Sequence, residues 1–288
     1  MPSTSSPEAS GSSRGLSDHS APAGRYVSNS QLSHSCGLAL SYARQRIPWP
    51  NRSASLVFGS AIHAGLDAWA WGRNLGAAKK AARLSLMTEI GRQPPVKWDD
   101  RLRRGKKDAA LTDAVVAEKM LYRHLEAWHK DHAEEEFKLL STEKTIWVDL
   151  NRPAGWRINC RLDTVIEIDG AKVIRDFKTA SKLWDQAKFR SHSAQGQLYM
   201  AAEAKDTGVI PDRFEFHIFV KGTDDIQILT LDFDAAAINR YIEYQVRPTI
   251  RAIEAEAFVA NRDWWGCSSK WCPYWNHCAA IPPEEKTA

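Results

Sequence analysis

Arg161-Leu-Asp163-Thr-Val-Ile-Glu-Ile-Asp169-Gly170-Ala-Lys-Val-Ile-Arg-Asp176-Phe177-Lys178 decides how this chain folds. Asp169-Gly170 favours the left-handed backbone of a tight hairpin turn. Alternating and β-branched apolar residues flank it on both sides, so 156–168 and 172–178 read as two antiparallel strands. Counting equally outward from the turn sets Asp163 opposite Asp176, with both side chains on one side of the sheet. Lys178 follows Asp176 by two and leaves from the same face.

Two converging carboxylates suit a hard cation such as Mg²⁺ or Mn²⁺, bound through oxygen. Such a cation lowers the pKa of a bound water and neutralises charge on a scissile phosphate. An amine beside it suits the orientation of that water and the stabilisation of a pentavalent transition state. Taken alone, the same residues also read as a strand-end aspartate and a surface Asp176–Lys178 ion pair. An acidic residue inside Ile174-Arg-Asp-Phe177 is nevertheless unusual for a buried strand.

Working outward, 137–150 is a further strand, and 213–221 with 226–233 form another pair joined through Gly222-Thr-Asp-Asp225. Residues 193–204 read as a helix between the two hairpins, and 234–260 as a closing helix. Upstream, helices are expected over 28–44, 59–71, 75–90 and 108–132, with loops at 47–52 and 92–107. The order predicts an α/β fold in which a helical N-terminal part precedes a sheet flanked by helices. The expected segments are a disordered tail over 1–26, the helical part over 27–135 and the sheet core over 136–262. A cysteine segment at 263–280 and a tail at 281–288 complete the division.

Composition narrows the class. With 288 residues, 43% of them hydrophobic, the chain can bury one sizeable core. The first 26 or so residues are rich in Ser, Pro, Gly and Ala and cannot offset the entropy of ordering. They lack the apolar centre of a secretory signal, and no apolar run of about 18 residues suggests a membrane span. A cytoplasmic location is expected. A net charge of +4 permits a polyanionic partner without requiring one. Twelve tryptophans are many; most belong in a core, and some could stack on bases.

Five cysteines in such a chain read as thiols or metal ligands. Cys267-Ser-Ser-Lys-Trp-Cys272-Pro-Tyr-Trp-Asn-His277-Cys278 gathers three in a C-x4-C-x5-C pattern. Three thiols leave a four-ligand site one short. Cys36, Cys160 and His277 are the candidates. Cys160 lies in a strand and reads as a small buried hydrophobe, so Cys36 is preferred, which ties the two ends of the chain together. An aromatic packing cluster with unpaired thiols is the competing reading. His63, in Gly59-Ser-Ala-Ile-His63, is alone no more than a core-edge histidine. Gln195 and Tyr199 share a helix face. Lys182, Lys188 and Arg190 could meet phosphates or simply be solvated.

In this order the motifs resemble the RecB-like iron–sulfur branch of the PD-(D/E)XK nuclease superfamily, over roughly residues 28–280. That branch includes the AddB nuclease domain, CRISPR-associated RecB-like exonucleases and phage relatives. The resemblance implies a restriction-endonuclease-like core and a bacterial or phage-encoded deoxyribonuclease, of exonuclease type, acting in repair or recombination. It implies that His63, Asp163, Asp176 and the Phe177 carbonyl hold Mg²⁺ or Mn²⁺. Lys178 would complete the D/E-x-K triplet, and Gln195-x-x-x-Tyr199 the motif that contacts DNA or supports the site. Cys36, Cys267, Cys272 and Cys278 would hold a [4Fe–4S] cluster, with zinc the alternative. Two departures stand out: Cys36-Gly37 replaces the usual Cys-Pro, and the Cys267–Cys272 spacing is wider than the familiar x2. No phosphate-binding G-x-x-x-x-G-K occurs, so a helicase or recombination subunit would be a separate chain. A non-catalytic or zinc-stabilised nucleic-acid binder on the same fold is the alternative function.

Overall fold

A computed structural model describes residues 25–98, 111–264, 266–269 and 271–286. The expected tail lies outside them as far as residue 24, and the expected loop over 92–107 does so from residue 99. The centre is a six-stranded mixed sheet in the order β1-β5-β6-β7-β8, with β4 added on β5. These strands are β1 (Arg25–Ser28), β4 (Lys138–Asp149), β5 (Trp156–Ile168), β6 (Ala171–Ala180), β7 (Arg213–Val220) and β8 (Ile226–Leu231). The two-residue strands β2 (Arg52–Ser53) and β3 (Val96–Lys97) pair separately.

The hairpin closes at the turn the sequence marks. Asp169 and Gly170 both take positive φ, and pairing runs from Ile168↔Ala171 to Thr164↔Arg175. It stops one step short of Asp163. Beyond that point β6 pairs on with β7 alone, while β1 docks parallel on the start of β5. The two central strands therefore fork at Asp163 and Asp176.

Helices cover both faces. On one side, α6 (Gln186–Thr207) and the C-terminal helix pack on Ile158, Leu162, Ile174, Phe214 and Phe216. Gly196 makes the close approach of α6 possible, because a Cβ there would stand 2.8 Å from Leu231 and 3.1 Å from Phe214. On the other side, α3 (Ala54–Gly72), α4 (Leu75–Ile90) and α5 (Ala114–His132) form a second core that receives Phe177 and Phe219 from the sheet. Side-chain oxygens of Ser53, Asn74, Asp113 and Asp185 cap α3, α4, α5 and α6.

Several boundaries differ from expectation. The helix expected over 28–44 is broken into α1 (Asn29–Leu32) and α2 (Gly37–Arg44). Ser28 and Gln31 form a capping box on the first, and Cys36 is the residue entering the second. Arg25 and Tyr26 belong to β1 rather than to a tail. The closing helix runs α7 (Ala235–Tyr241), a wide π turn over Ile242–Val246, then α8 (Arg247–Glu254). The π turn lies just ahead of Pro248, which has no N–H to continue the ladder. The segment expected to be a tail from 281 buries Ile281 and forms α9 (Pro283–Lys286).

Candidate active site

The fork brings two sets of side chains together. β5 sends Ile158, Cys160 and Leu162, then Val165, into the same core. A step of three there replaces the strand period of two, so Asp163 escapes the α6 side and reaches α3. Its Oδ1 lies 3.4 Å from His63 Nδ1. Its Oδ2 accepts from the Phe177 N–H at 2.8 Å, taking the place of a backbone carbonyl where the ladder ends. The direct Asp163–Asp176 pairing expected from the register is thus not formed.

His63 lies on α3, and its Nε2 is 2.9 Å from the Phe177 carbonyl oxygen. A carbonyl only accepts, so Nε2 donates. Nδ1 then faces carboxylates and has no hydrogen bond. The second carboxylate is Glu143, 3.7 Å away. His63, Glu143 and Asp163 each offer a ligand atom within 4.8 Å of the others. Burial by itself lowers the His63 pKa, but Asp163 and Glu143 outweigh it and push it up to about 10. Positive charge is strongly favoured where these three side chains meet.

The second set faces α6. Asp176, 1% exposed, pairs through Oδ2 with Lys178 and accepts from Gln195 Nε2 at 3.2 Å. Burial pushes the Asp176 pKa up to about 6, with Lys178 only partly offsetting it. Burial also works against ionised Asp163, but His63, Lys178 and the Phe177 N–H hold it below the usual carboxylate range. Tyr199 is 6% exposed and packs on Phe214. Burial raises its pKa, with Gln195 partly offsetting it. The Phe177 backbone, between Asp176 and Lys178 in the chain, holds the first set at both of its polar groups, with its N–H on Asp163 and its carbonyl on His63. That carbonyl retains a second lone pair.

Glu143 was missed by sequence reasoning. In β4, Thr142 pairs with Thr164 and Lys144 with Leu162, which places Glu143 opposite Asp163. It has left-handed backbone, φ 46°. The signal is countable: working outward from the Asn151–Gly155 turn would have put an acid beside Asp163. This donor set, one imidazole nitrogen and carboxylates with open lone pairs, fits Mg²⁺ or Mn²⁺.

At the other end of the molecule Cys36, Cys267, Cys272 and Cys278 line one cavity, with Leu38, Tyr42 and Trp275 among its walls. Cys160 is elsewhere, buried in the sheet core with its thiol pushed up to about 12 by burial. Burial first, then the neighbouring thiols, raises the pKa of Cys267 and Cys272. Cys36-Gly37 has a local reason. Gly37 N–H donates to the Val259 carbonyl at 2.9 Å, which a proline could not do. A Cβ at Gly37 would also sit 2.7 Å from that backbone. Among the described residues, His63, Glu143 and Asp163 are the one set of three such ligand atoms within 4.8 Å.

No curated protein matches the chain. Among solved structures it is similar to the "Putative exonuclease" from Eubacterium rectale, at 14% identity and TM-score 0.54, covering 90% of each chain. It is also similar to SSO0001, at 11% identity and TM-score 0.45, covering 89% of this chain and 86% of that one. At 14% identity the likeness to the protein from Eubacterium rectale concerns the fold. The family model of the PD-(D/E)XK nuclease superfamily matches residues 27–279, from β1 past the last cysteine, and the chain belongs to that superfamily.

Proposed function

We propose that this protein is a metal-dependent deoxyribonuclease of exonuclease type, in the RecB-like iron–sulfur branch of its superfamily. The observation that carries the reading is the fork of β5 and β6. It gathers the carboxylates of Glu143, Asp163 and Asp176 with His63 and Lys178, more acids than bases in one buried place. Exonuclease action is favoured by the fold shared with the protein from Eubacterium rectale.

His63, Asp163, Asp176 and the Phe177 carbonyl would hold Mg²⁺ or Mn²⁺, with Glu143 added to the set. When bound, the cation supplies an acidified water and charge neutralisation at the phosphate. The Phe177 carbonyl holds Nε2–H of His63 and aims Nδ1 at the carboxylates, where a cation would take the place of its proton. Asp176, whose buried carboxylate is costly to ionise without a cation, would share in holding it. Lys178, a quarter exposed, turns from Asp176 toward the scissile phosphate and orients the attacking water for in-line displacement. Gln195 and Tyr199 fix the Asp176 carboxylate. Cys36, Cys267, Cys272 and Cys278 would hold a structural [4Fe–4S] cluster and clip α2 to the C-terminal segment. Unwinding, where the pathway needs it, would come from a separate helicase or recombination subunit.

The test is an assay on end-labelled single- and double-stranded DNA with Mg²⁺ or Mn²⁺. We expect cleavage from the ends that depends on the cation and disappears in Lys178→Ala. Cleavage by Lys178→Ala at the wild-type rate would falsify the assignment. Anaerobically purified protein should be brown, with iron and acid-labile sulfide. Colourless protein carrying one equivalent of zinc overturns the cluster.

A further inference from the structure

Trp71 ends the helix that carries His63. His63, Asp67 and Trp71 are spaced by four, so they share a face of α3, and Trp71 stands about 12 Å along the axis from His63. Exposure rises along that face until the Trp71 indole is 58% exposed. Large apolar side chains are commonly exposed singly, but this one is held in place. Its Nε1 donates to Thr142 Oγ1 at 3.1 Å, and Thr142 is the residue before Glu143. The indole is thus fixed beside the His63–Glu143–Asp163 group with much of its surface open to solvent.

The other flank of the fork is basic. An open trough beyond Lys178 is lined by Thr179, Lys182, Trp184, Lys188 and His192. Strand order places the two features. Trp71 stands over β4, the Asp163 carboxylate is on β5, and Lys178 with the trough lies on β6. A strand crossing the sheet would meet cationic side chains on one side of the metal-binding group and a fixed aromatic surface on the other. Basic tracks paired with aromatic platforms hold single strands. Bases inside a duplex are stacked on each other and present no face to an indole.

We propose that Trp71 is a stacking platform for an unpaired base and that it makes the site selective for single strands or frayed ends. This rests on the nuclease reading above. Trp71 acts by holding substrate and takes no part in bond cleavage.

The test measures binding of fluorescein-labelled oligo(dT) in EDTA by anisotropy. An abasic oligonucleotide of the same length and a covalently closed circular duplex serve as controls. Trp71→Ala should bind oligo(dT) roughly ten-fold more weakly than wild type. Trp71→Phe should keep most of the affinity, and Thr142→Val, which frees the indole, should fall between. None should change binding of the abasic strand or the closed duplex. Thermal melts check that each variant is folded. Unchanged oligo(dT) binding by Trp71→Ala overturns the platform, and so does an equal loss on the abasic strand. Cleavage of oligo(dT) by wild type in Mg²⁺ separates the two readings. Cleavage with an indifferent Trp71→Ala defeats only the platform, whereas no metal-dependent cleavage of any DNA defeats the nuclease and the platform together.

Discussion

Arg175 and Asp176 are neighbours on β6, both almost fully buried, and they head two charged clusters of opposite character. Arg175 is closed off. Its Nη1 and Nη2 grip Glu135 at 2.8 and 2.6 Å, and its Nε bonds Glu215 at 2.9 Å. His217 donates to the same Glu215 at 2.9 Å, and Arg213 takes its other oxygen at 2.8 Å. Only His217 Nδ1 is left over. The Asp176 side is open: the carboxylates of Glu143, Asp163 and Asp176 outnumber the bases His63 and Lys178. A structural buried charge is surrounded until its bonds are used, whereas a functional one keeps bonding capacity for something that is to arrive.

Substituting across that boundary gives the largest effects. Asp176→Asn should lower cleavage roughly thousand-fold, while metal-free protein melts no lower than wild type. The second half follows from burial, which makes an ionised Asp176 a cost at neutral pH. Arg175→Met should do the reverse. It strands the Glu135 carboxylate and takes one of three partners from Glu215, and should cost about 3 kcal/mol in urea unfolding, with the per-folded-molecule rate little changed. If Asp176→Asn unfolds as readily as Arg175→Met, the two clusters are not different in kind.

Acid separates the clusters on a second axis. Burial holds His217 neutral and lowers its pKa to about 4, despite the Glu215 bond that raises it. Burial does the same to His124, also to about 4. Both sit near 6.5 when unfolded, so below that pH the unfolded chain binds more protons. Their stabilising contribution is complete above pH 6.5 and is lost as pH falls toward 4, by up to about 3 kcal/mol each. His124 packs edge-on against Phe58 and Phe219 with both ring nitrogens unbonded. His124→Phe should therefore raise stability and flatten the slope of unfolding free energy between pH 6.5 and 5. A variant with the wild-type slope would show that His124 is not the group that titrates.

How much of this could be read from the chain depended on range. The Asp169-Gly170 turn and strand alternation are local, and they yielded the hairpin and its register. Helical spacing put Gln195 and Tyr199 on one face, the resemblance gave them a place at the site, and counting thiols singled out Cys36, which lines one cavity with the other three. The fork was not legible, because the irregular step between Leu162 and Val165 has no composition signal. It depends on Asp163 finding the Phe177 N–H and His63, a residue a hundred positions away in the chain. The short strand β1 was missed because it exists only by docking on β5. The break before Cys36 was hidden for a similar reason. Local propensity favours one helix, but the Gly37 contact with Val259 is made across the fold.

Glu143 gives the smallest effect and the sharpest test of where the open cluster ends. Its carboxylate has two claimants: His63, at 3.7 Å, and the exposed Arg161, at 3.3 Å. If Arg161 is its real partner, Glu143 is a surface ion pair of little value, and neutralising it changes nothing at the fork. If it belongs with His63 and Asp163, Glu143→Gln removes one negative charge from the donor set. Mn²⁺ affinity, measured by calorimetry or by the loss of free-ion resonance signal, should then fall roughly ten-fold. Arg161→Ala should leave that affinity alone or tighten it, because a competing cation is gone. The backbone adds an independent check. A left-handed non-glycine residue costs about 1 kcal/mol or more, and such strain persists at sites where the side chain's aim matters. Glu143→Gly should therefore weaken Mn²⁺ binding while making the metal-free protein about 1 kcal/mol more stable. Weaker binding with lower stability would mean that Glu143 holds the sheet together instead of serving the cation.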